Sequence, residues 1–389
     1  MNQGQTIFAQ LIEFLPRYEF QLCVERYQGQ RYMKDFSCWD QFLCLAFAQL
    51  TQRESLRAIE TCLRAHRSQL YHMGFRGSVA RSTLAYANEY RDWRIYADFA
   101  RILIARAREL YGGESFGVEL DQTVYAFDST TIDLCLTLFP WAQFRRRKSA
   151  VKVHTLLDLR GNIPTNVYVT SARVHDVNLL DALALEAGAV YLLDRGYVDF
   201  RRLYLMTLAL AFFITRAETN TRYRRCGGRP IDASTGLRSD QDIRLTGPKS
   251  SRRYPALLRR VHYVDTEKDL RLIFLTNNFQ LDALTIAQLY RARWQVELFF
   301  RWIKQHLRIR AFYGTSENAV KTQVWVAISV YVLVAILKKQ FRWELSLYQI
   351  LQILSVTIFQ KTPISQAFLN PDVLSPSCDP CIQMNLFDL

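Results

Sequence analysis

The spacing of apolar residues changes at Gly117, and that change constrains the fold more than any other feature of the chain. From residue 1 to about 115 apolar side chains recur three and four apart, as in DQFLCLAFAQLTQRESLRAIETCLRAH, with no strand-like alternation. That is the mark of helices packed by one face. Beyond it, Val124-Tyr125-Ala126-Phe127 runs straight into Asp128, and 151–159 and 166–171 alternate about the turn Arg160-Gly161-Asn162. These read as strands joined by a hairpin. A helix is expected over about 177–187, then an apolar strand over 189–193 ending at Asp194, a helix to about Ala209 and a strand over 210–215. Half of the 389 residues are hydrophobic, enough for a core in each of several domains.

Three antiparallel strands, a helix and a buried strand of the parallel kind resemble a ribonuclease-H-like α/β domain. The pattern breaks at 216–260, where 12 Lys and Arg stand against 4 Asp and Glu. Strands over 256–264 and 271–276 then lead to a long helix over about 281–308. The expected organisation is a helical N-terminal DNA-binding domain over 1–115, the first part of the core over 116–215 and a basic, β-rich insertion over 216–280. A core helix over 281–315 and C-terminal helices with a tail over 316–389 follow.

A net charge of +14 asks for a polyanionic partner, since Lys and Arg gain affinity by displacing counterions condensed on phosphates. A surplus of +8 within 216–260 reads as a phosphate-facing surface, the plain alternative being a solvated loop, and Arg222, Arg224 and Arg225 are its densest part. Membrane is the rival polyanion. The longest apolar run, 324–337, is 14 residues and short of the ~20 of a spanning helix, so a buried helix is expected. The start, MNQGQTIFAQLIEFLP, lacks a basic stretch followed by an apolar one, and eight scattered Cys suit reduced thiols, so a cytoplasmic setting is expected. Cys378 and Cys381 form one C-x-x-C without a second ligand pair, which leaves them as tail cysteines. A helix over 54–66, the glycine-bearing 74–78 and a second helix capped by Ser82 fit either a DNA-reading unit or an ordinary helical hairpin, and the hairpin is the commoner use.

The chemistry sits in carboxylates. Asp128 and Asp194 both follow apolar strands, and sites collect just beyond strand ends. On the long helix Tyr290, Arg293, Glu297 and Lys304 fall within an arc of about 60° at ~100° per residue, while Val296, Phe299, Ile303 and Leu307 form the packing face. Three gathered carboxylates repel, and a pair of divalent cations held by oxygen ligands would relieve that repulsion and activate water toward a phosphodiester. The bland alternative makes Arg293 and Glu297 a surface i, i+4 pair and the aspartates strand-end caps. Lys152 and His154 share a strand face and are weighed as site-lining or structural, with His175 and Asp176 nearby. Asp121, Asp133 and Asp158 are weaker rivals of Asp128, and Trp294 either stacks a base or packs.

The spacing Tyr290-x2-Arg293-x3-Glu297-x6-Lys304 resembles the Y-R-E-K signature of DDE transposases of bacterial insertion sequences, the IS-four family. Phe127-Asp128-Ser129-Thr130 resembles its first-aspartate motif, and Leu193-Asp194-Arg195-Gly196-Tyr197 its second, D-x-G-Y. The resemblance implies a ribonuclease-H-like core, a β-rich insertion within the 103 residues between Asp194 and Glu297, and Mg²⁺-dependent cutting and joining of DNA ends. Asp128, Asp194 and Glu297 would hold two Mg²⁺, with Mn²⁺ as a substitute, and Tyr290, Arg293, Lys304 and Arg301 would face DNA. A homodimer on double-stranded DNA, a hairpin intermediate and nucleoid association belong to the same expectation. The rivals are a metal-dependent nuclease without joining activity and a catalytically silent, transposase-derived DNA-binding protein.

Overall fold

The computed structural model describes residues 4–31, 35–218, 220–265, 270–307 and 312–368, so Cys378, Cys381 and the last of the tail lie outside the described residues. The N-terminal region is helical as expected: α1 (Ile7–Glu13), α2 (Arg17–Arg26), α3 (Cys38–Leu50), α4 (Leu56–Ala65), α5 (Arg81–Tyr90) and α6 (Arg94–Tyr111). Between α4 and α5 lie two short 3₁₀ turns, the second closed by Gly74 in the left-handed region (φ 88°) that glycine enters freely. Helix α5 starts before Ser82, which lies within its first turn and does not cap it.

Ten strands follow: β1 (Val124–Leu134), β2 (Gln143–Arg145), β3 (Lys148–Asp158), β4 (Ile163–Ser171), β5 (Val190–Leu193), β6 (Phe212–Arg216), β7 (Tyr223–Arg229), β8 (Leu237–Leu245), β9 (Leu258–Asp265) and β10 (Leu270–Thr276). They form one sheet in the order β2-β3-β1-β5-β6-β10-β9-β8-β7, with β4 also on β3. Gly161 (φ 73°) and Asn162 (φ 55°) supply left-handed backbone in the four residues, 159–162, that join β3 to β4. β1 is antiparallel to β3 and parallel to β5, and β5 is parallel to β6. The basic strands extend this same sheet, because β10 pairs β6 in antiparallel register.

Helices cover both faces. Val124, Ala126, Val190 and Leu192 join the larger core with α3, α6 and α11 (Glu317–Gln340). Tyr125, Phe127, Tyr191 and Leu193 join a second core with α7 (Phe200–Leu208) and the segment carrying α8 (Pro248–Arg253). A strand covered on both faces needs apolar residues at every position, which explains the unbroken runs VYAF and VYLL. Helix α11 packs along α6 and α3. It is long and apolar enough to cross a membrane, yet 94% of its apolar window is buried inside the protein, as a core helix requires. Helices α12 (Leu347–Thr357) and α13 (Ile364–Ala367) complete the described chain.

Two expected helices differ. The 177–187 segment is a 3₁₀ stretch, Asp176–Ala182. Its buried Leu179, Leu180 and Leu183 carry the three-and-four spacing that a helix would also show. The long helix over 281–308 is two, α9 (Ala283–Ala292) and α10 (Trp294–His306), with Arg293 at the joint. The path stays helical there but tightens, since Arg293 donates its N–H to Tyr290 O and Val296 to Arg293 O, three residues back.

Candidate active site

Side chains alternate along a strand, so parity decides where each carboxylate points. Asp128 continues the even series Val124 and Ala126, and Asp194 continues Val190 and Leu192, both of which face the core beneath α9 and α10. Phe127 pairs Leu193 across the parallel ladder, so the two aspartates leave neighbouring strands at the same level. Asp128 is not at a strand end, however. β1 runs six residues further against β3, and only its parallel partner stops there.

Helices α9 and α10 bring the rest. Asp282 caps α9 by accepting the Thr285 N–H at 2.8 Å, fixing where the helix starts. One turn apart, the Tyr290 hydroxyl donates to Asp194 Oδ1 (3.3 Å) and the Arg293 guanidinium donates to Asp128 Oδ2 (2.8 Å). Arg293 also donates to Glu297 Oε1 (2.7 Å), so one cation bridges two of the three acids. Lys304 donates to the Thr131 carbonyl on β1 at 2.8 Å, which draws the whole polar arc onto that strand. Arg301 is exposed on α10, and Trp294 is half exposed.

Arg222, Arg224 and Arg225 are exposed at the start of β7, the outermost strand of the far side. Among the described residues none of the three forms an ion pair or hydrogen bond with Asp128, Asp194 or Glu297, so these cations are not part of the carboxylate cluster.

Burial pushes the Asp128 carboxyl up to about 6, against the Ser129 N–H and Arg293, with the charges of Asp194 and Glu297 pushing the same way. Asp128 therefore binds its proton more tightly folded than unfolded, and stability falls as pH rises from about 4 to 6. Asp128→Asn should remove that cost. In chelator it should melt higher than the parent at pH 8, by on the order of 1–2 kcal/mol, with the advantage gone at pH 4. Equal melting differences at the two pH values would contradict this.

An all-oxygen set of three coupled carboxylates suits a hard divalent cation. Among the described residues, though, no three His, Cys, Asp or Glu side chains are grouped ready for a metal. Arg293 supplies the countercharge instead, lying between Asp128 and Glu297.

Behind Asp128, on the opposite sheet face, Asp176 accepts from Ser129 Oγ (2.9 Å) and from Lys152 Nζ (3.0 Å), with His154 Nδ1 at 3.6 Å. Lys152 and His154 do share a face, but it is the one away from the carboxylates. Burial lowers His154 to about 4, so the ring is neutral. Tyr197, the tyrosine of the D-x-G-Y motif, packs on Phe127 at 5.1 Å.

A family model described as "Transposase DDE domain" matches residues 119–333, and one described as a domain of unknown function, DUF4372, matches 3–76. The chain belongs to the DDE transposases, and its Y-R-E-K residues place it with the insertion-sequence transposases of the IS-four family. A protein of Sinorhizobium fredii named as a transposase is 33% identical over 261 residues, covering 65% of this chain and 72% of that one. One named as a transposase of an insertion sequence element in Geobacillus stearothermophilus is 32% identical over 229 residues, 56% of this chain and 59% of its own. A piggyBac transposase in a synaptic complex with hairpin DNA shares 9% identity at a TM-score of 0.46, over 97% of this chain and 84% of that one.

Proposed function

We propose that this transposase binds the ends of its insertion sequence and cuts and joins DNA there, with Asp128, Asp194 and Glu297 as the acids of the reaction. The observation that carries the reading is their convergence from β1, β5 and α10 with Arg293 bridging two of them. The strand order β4-β3-β1-β5-β6, three antiparallel and then two parallel, supports a ribonuclease-H-like core. When bound, two Mg²⁺, or Mn²⁺ in their place, would supply charge neutralisation at the phosphodiester and a more acidic water. Asp128, Asp194 and Glu297 would hold the ions. Arg293 would then exchange a carboxylate for a phosphate oxygen, a charge-assisted contact of the same kind. Tyr290 and Lys304, about 21 Å apart along the helical path at ~1.5 Å per residue, would position the backbone on either side. We further read the route as cut-and-paste through a hairpin, carried out by a homodimer on paired ends in the cytoplasm, at the nucleoid.

A strand-transfer assay with paired element ends, read on denaturing gels, tests this. Joined product and a transient hairpin are expected. Nicks alone would make the protein a nuclease, and a shifted band without cleavage a silent binder. Neutralising Arg222, Arg224 and Arg225 should weaken binding about equally for end and random duplexes and lower the slope of log K on log salt by up to about three, since phosphate contacts carry little sequence information. An unchanged slope would mean that the β7 edge does not touch DNA.

A further inference from the structure

The residue after Asp194 lines a cavity of about 260 Å³ whose wall carries four arginines, Arg195, Arg216, Arg260 and Arg271, and whose Leu275 belongs to the core on the sheet face away from the carboxylates. These arginines come from the residue after Asp194, the end of β6, β9 and β10. Arg271, Ile273 and Leu275 alternate onto one face of β10, and Arg260 sits opposite Leu275 in the ladder. Among the described residues none of the four arginines has a carboxylate within ion-pair distance. Arg260 touches only the Gln241 amide oxygen (3.4 Å) and the Tyr223 ring (5.1 Å). The one acid in the wall, Glu218, is exposed and makes no ion pair with them. In the same wall the Thr221 hydroxyl is buried without a hydrogen-bond partner.

Such an arrangement is costly in the absence of an anion. By contrast, Arg259, adjacent to Arg260, is locked to Asp240, and Arg229 to Asp242. Burial first, and then Arg260, Arg271 and Arg238, lower the His262 ring. Guanidinium groups are suited to phosphate oxygens, which they meet through paired N–H donors, and a free hydroxyl adds one more donor.

We propose that this cavity is a seat for one phosphate group of a DNA strand leaving the carboxylates. The DNA source rests on the function proposed above, whereas the anion chemistry does not. Held there, a phosphate fixes the position of the strand relative to Asp194, while the exposed β7 cations hold DNA without registering it.

The test is linkage interference. A duplex from the element's end is prepared with a neutral methylphosphonate at one linkage at a time, and binding is compared for the parent and for Arg260→Gln/Arg271→Gln. In the parent, one linkage near the cleavage position should cost about ten-fold in affinity, the size of one charge-assisted contact. In the double variant that linkage should cost nothing, while all other linkages behave as in the parent. If every linkage costs the two proteins the same, the proposal is wrong. Pyrophosphate titrated by calorimetry without DNA supplies the second arm: binding there with no DNA linkage affected would assign the cavity to a free anion and overturn the DNA seat. Arg271→Gln alone, at an exposed residue without side-chain partners, keeps the test valid should the double variant melt early. Loss of cutting and joining in the parent, with the linkage effect intact, would remove the proposed function and leave the seat standing.

Discussion

Asp128→Asn, Asp194→Asn and Glu297→Gln will each lower strand cleavage by about a thousand-fold or more while leaving binding to end DNA within about two-fold. The acids would hold the ions that stabilise charge at the reacting phosphate, worth several kcal/mol, and each 1.36 kcal/mol is tenfold in rate. The exposed cations proposed to hold DNA are separate side chains, on β7 and at Arg301 on α10. For Asp128 the outcome has a second signature. Its asparagine variant should be more stable than the parent at pH 8 because burial opposes the ionised carboxyl. Inactive and more stable together distinguish a working acid from a structural one, which would lose stability on replacement. A variant that cleaves at near-parent rates in a gel assay would take its residue out of the proposed triad.

The largest effect on stability is expected at Arg259. Its side chain is 2% exposed and bonds Asp240 twice, at 2.9 and 2.8 Å, the aspartate being 3% exposed. The same guanidinium donates to the carbonyls of Asn278 (3.2 Å) and Leu281, immediately before the Asp282 cap of α9. Arg259→Ala would leave the buried Asp240 carboxylate with only the longer contact to Arg229 (3.5 Å) and two carbonyls without their donor, and breaking such a pair costs about 3–5 kcal/mol. Replacing both partners, Arg259→Leu with Asp240→Leu, should recover much of the loss, since no charge is then left unpaired. Denaturant melts of the single and double variants measure this, and a single variant losing under about 1 kcal/mol would show that water reaches the site. Because Arg259 ties β9 to the start of α9, the single variant should also show looser amide-exchange protection at α9.

The two aspartates were readable because strands covered on both faces leave unbroken apolar runs, and a charged residue ending VYAF or VYLL is conspicuous. Glu297 was readable from helical phase, which survives the tightened turn at Arg293. Partners across the sheet left no such trace. Local spacing cannot say that β1 continues past Asp128, since that depends on β3 still being alongside. Nor can it separate Arg259 from Arg260: neighbours on a strand face opposite ways, so one is buried in an ion pair and the other lines an arginine cavity. Because Asp242 and Asp240 match Arg229 and Arg259, the +8 of 216–260 falls on the other cations of the stretch, which spacing alone does not single out. The arginines that converge on that cavity lie at 195, 216, 260 and 271, brought together only by the order of β6, β10 and β9.

That order also limits modularity. In sequence the basic region interrupts a core, which suggests a cassette that could be excised or exchanged between relatives. In space its last strand is the partner of β6, matching Ile214, Thr215 and Arg216 to Thr276, Leu275 and Phe274. Asn277, just after it, accepts the Phe213 N–H and donates to Thr207 and to the Ala211 carbonyl, closing the seam. A cut made before β10 would open the ladder of β6 to unpaired backbone, the edge along which sheets aggregate. A workable exchange therefore keeps β10 and Asn277 with the host and trades only the strands beyond, so that one hydrogen-bonded seam is inherited whole and the rest is free to diverge.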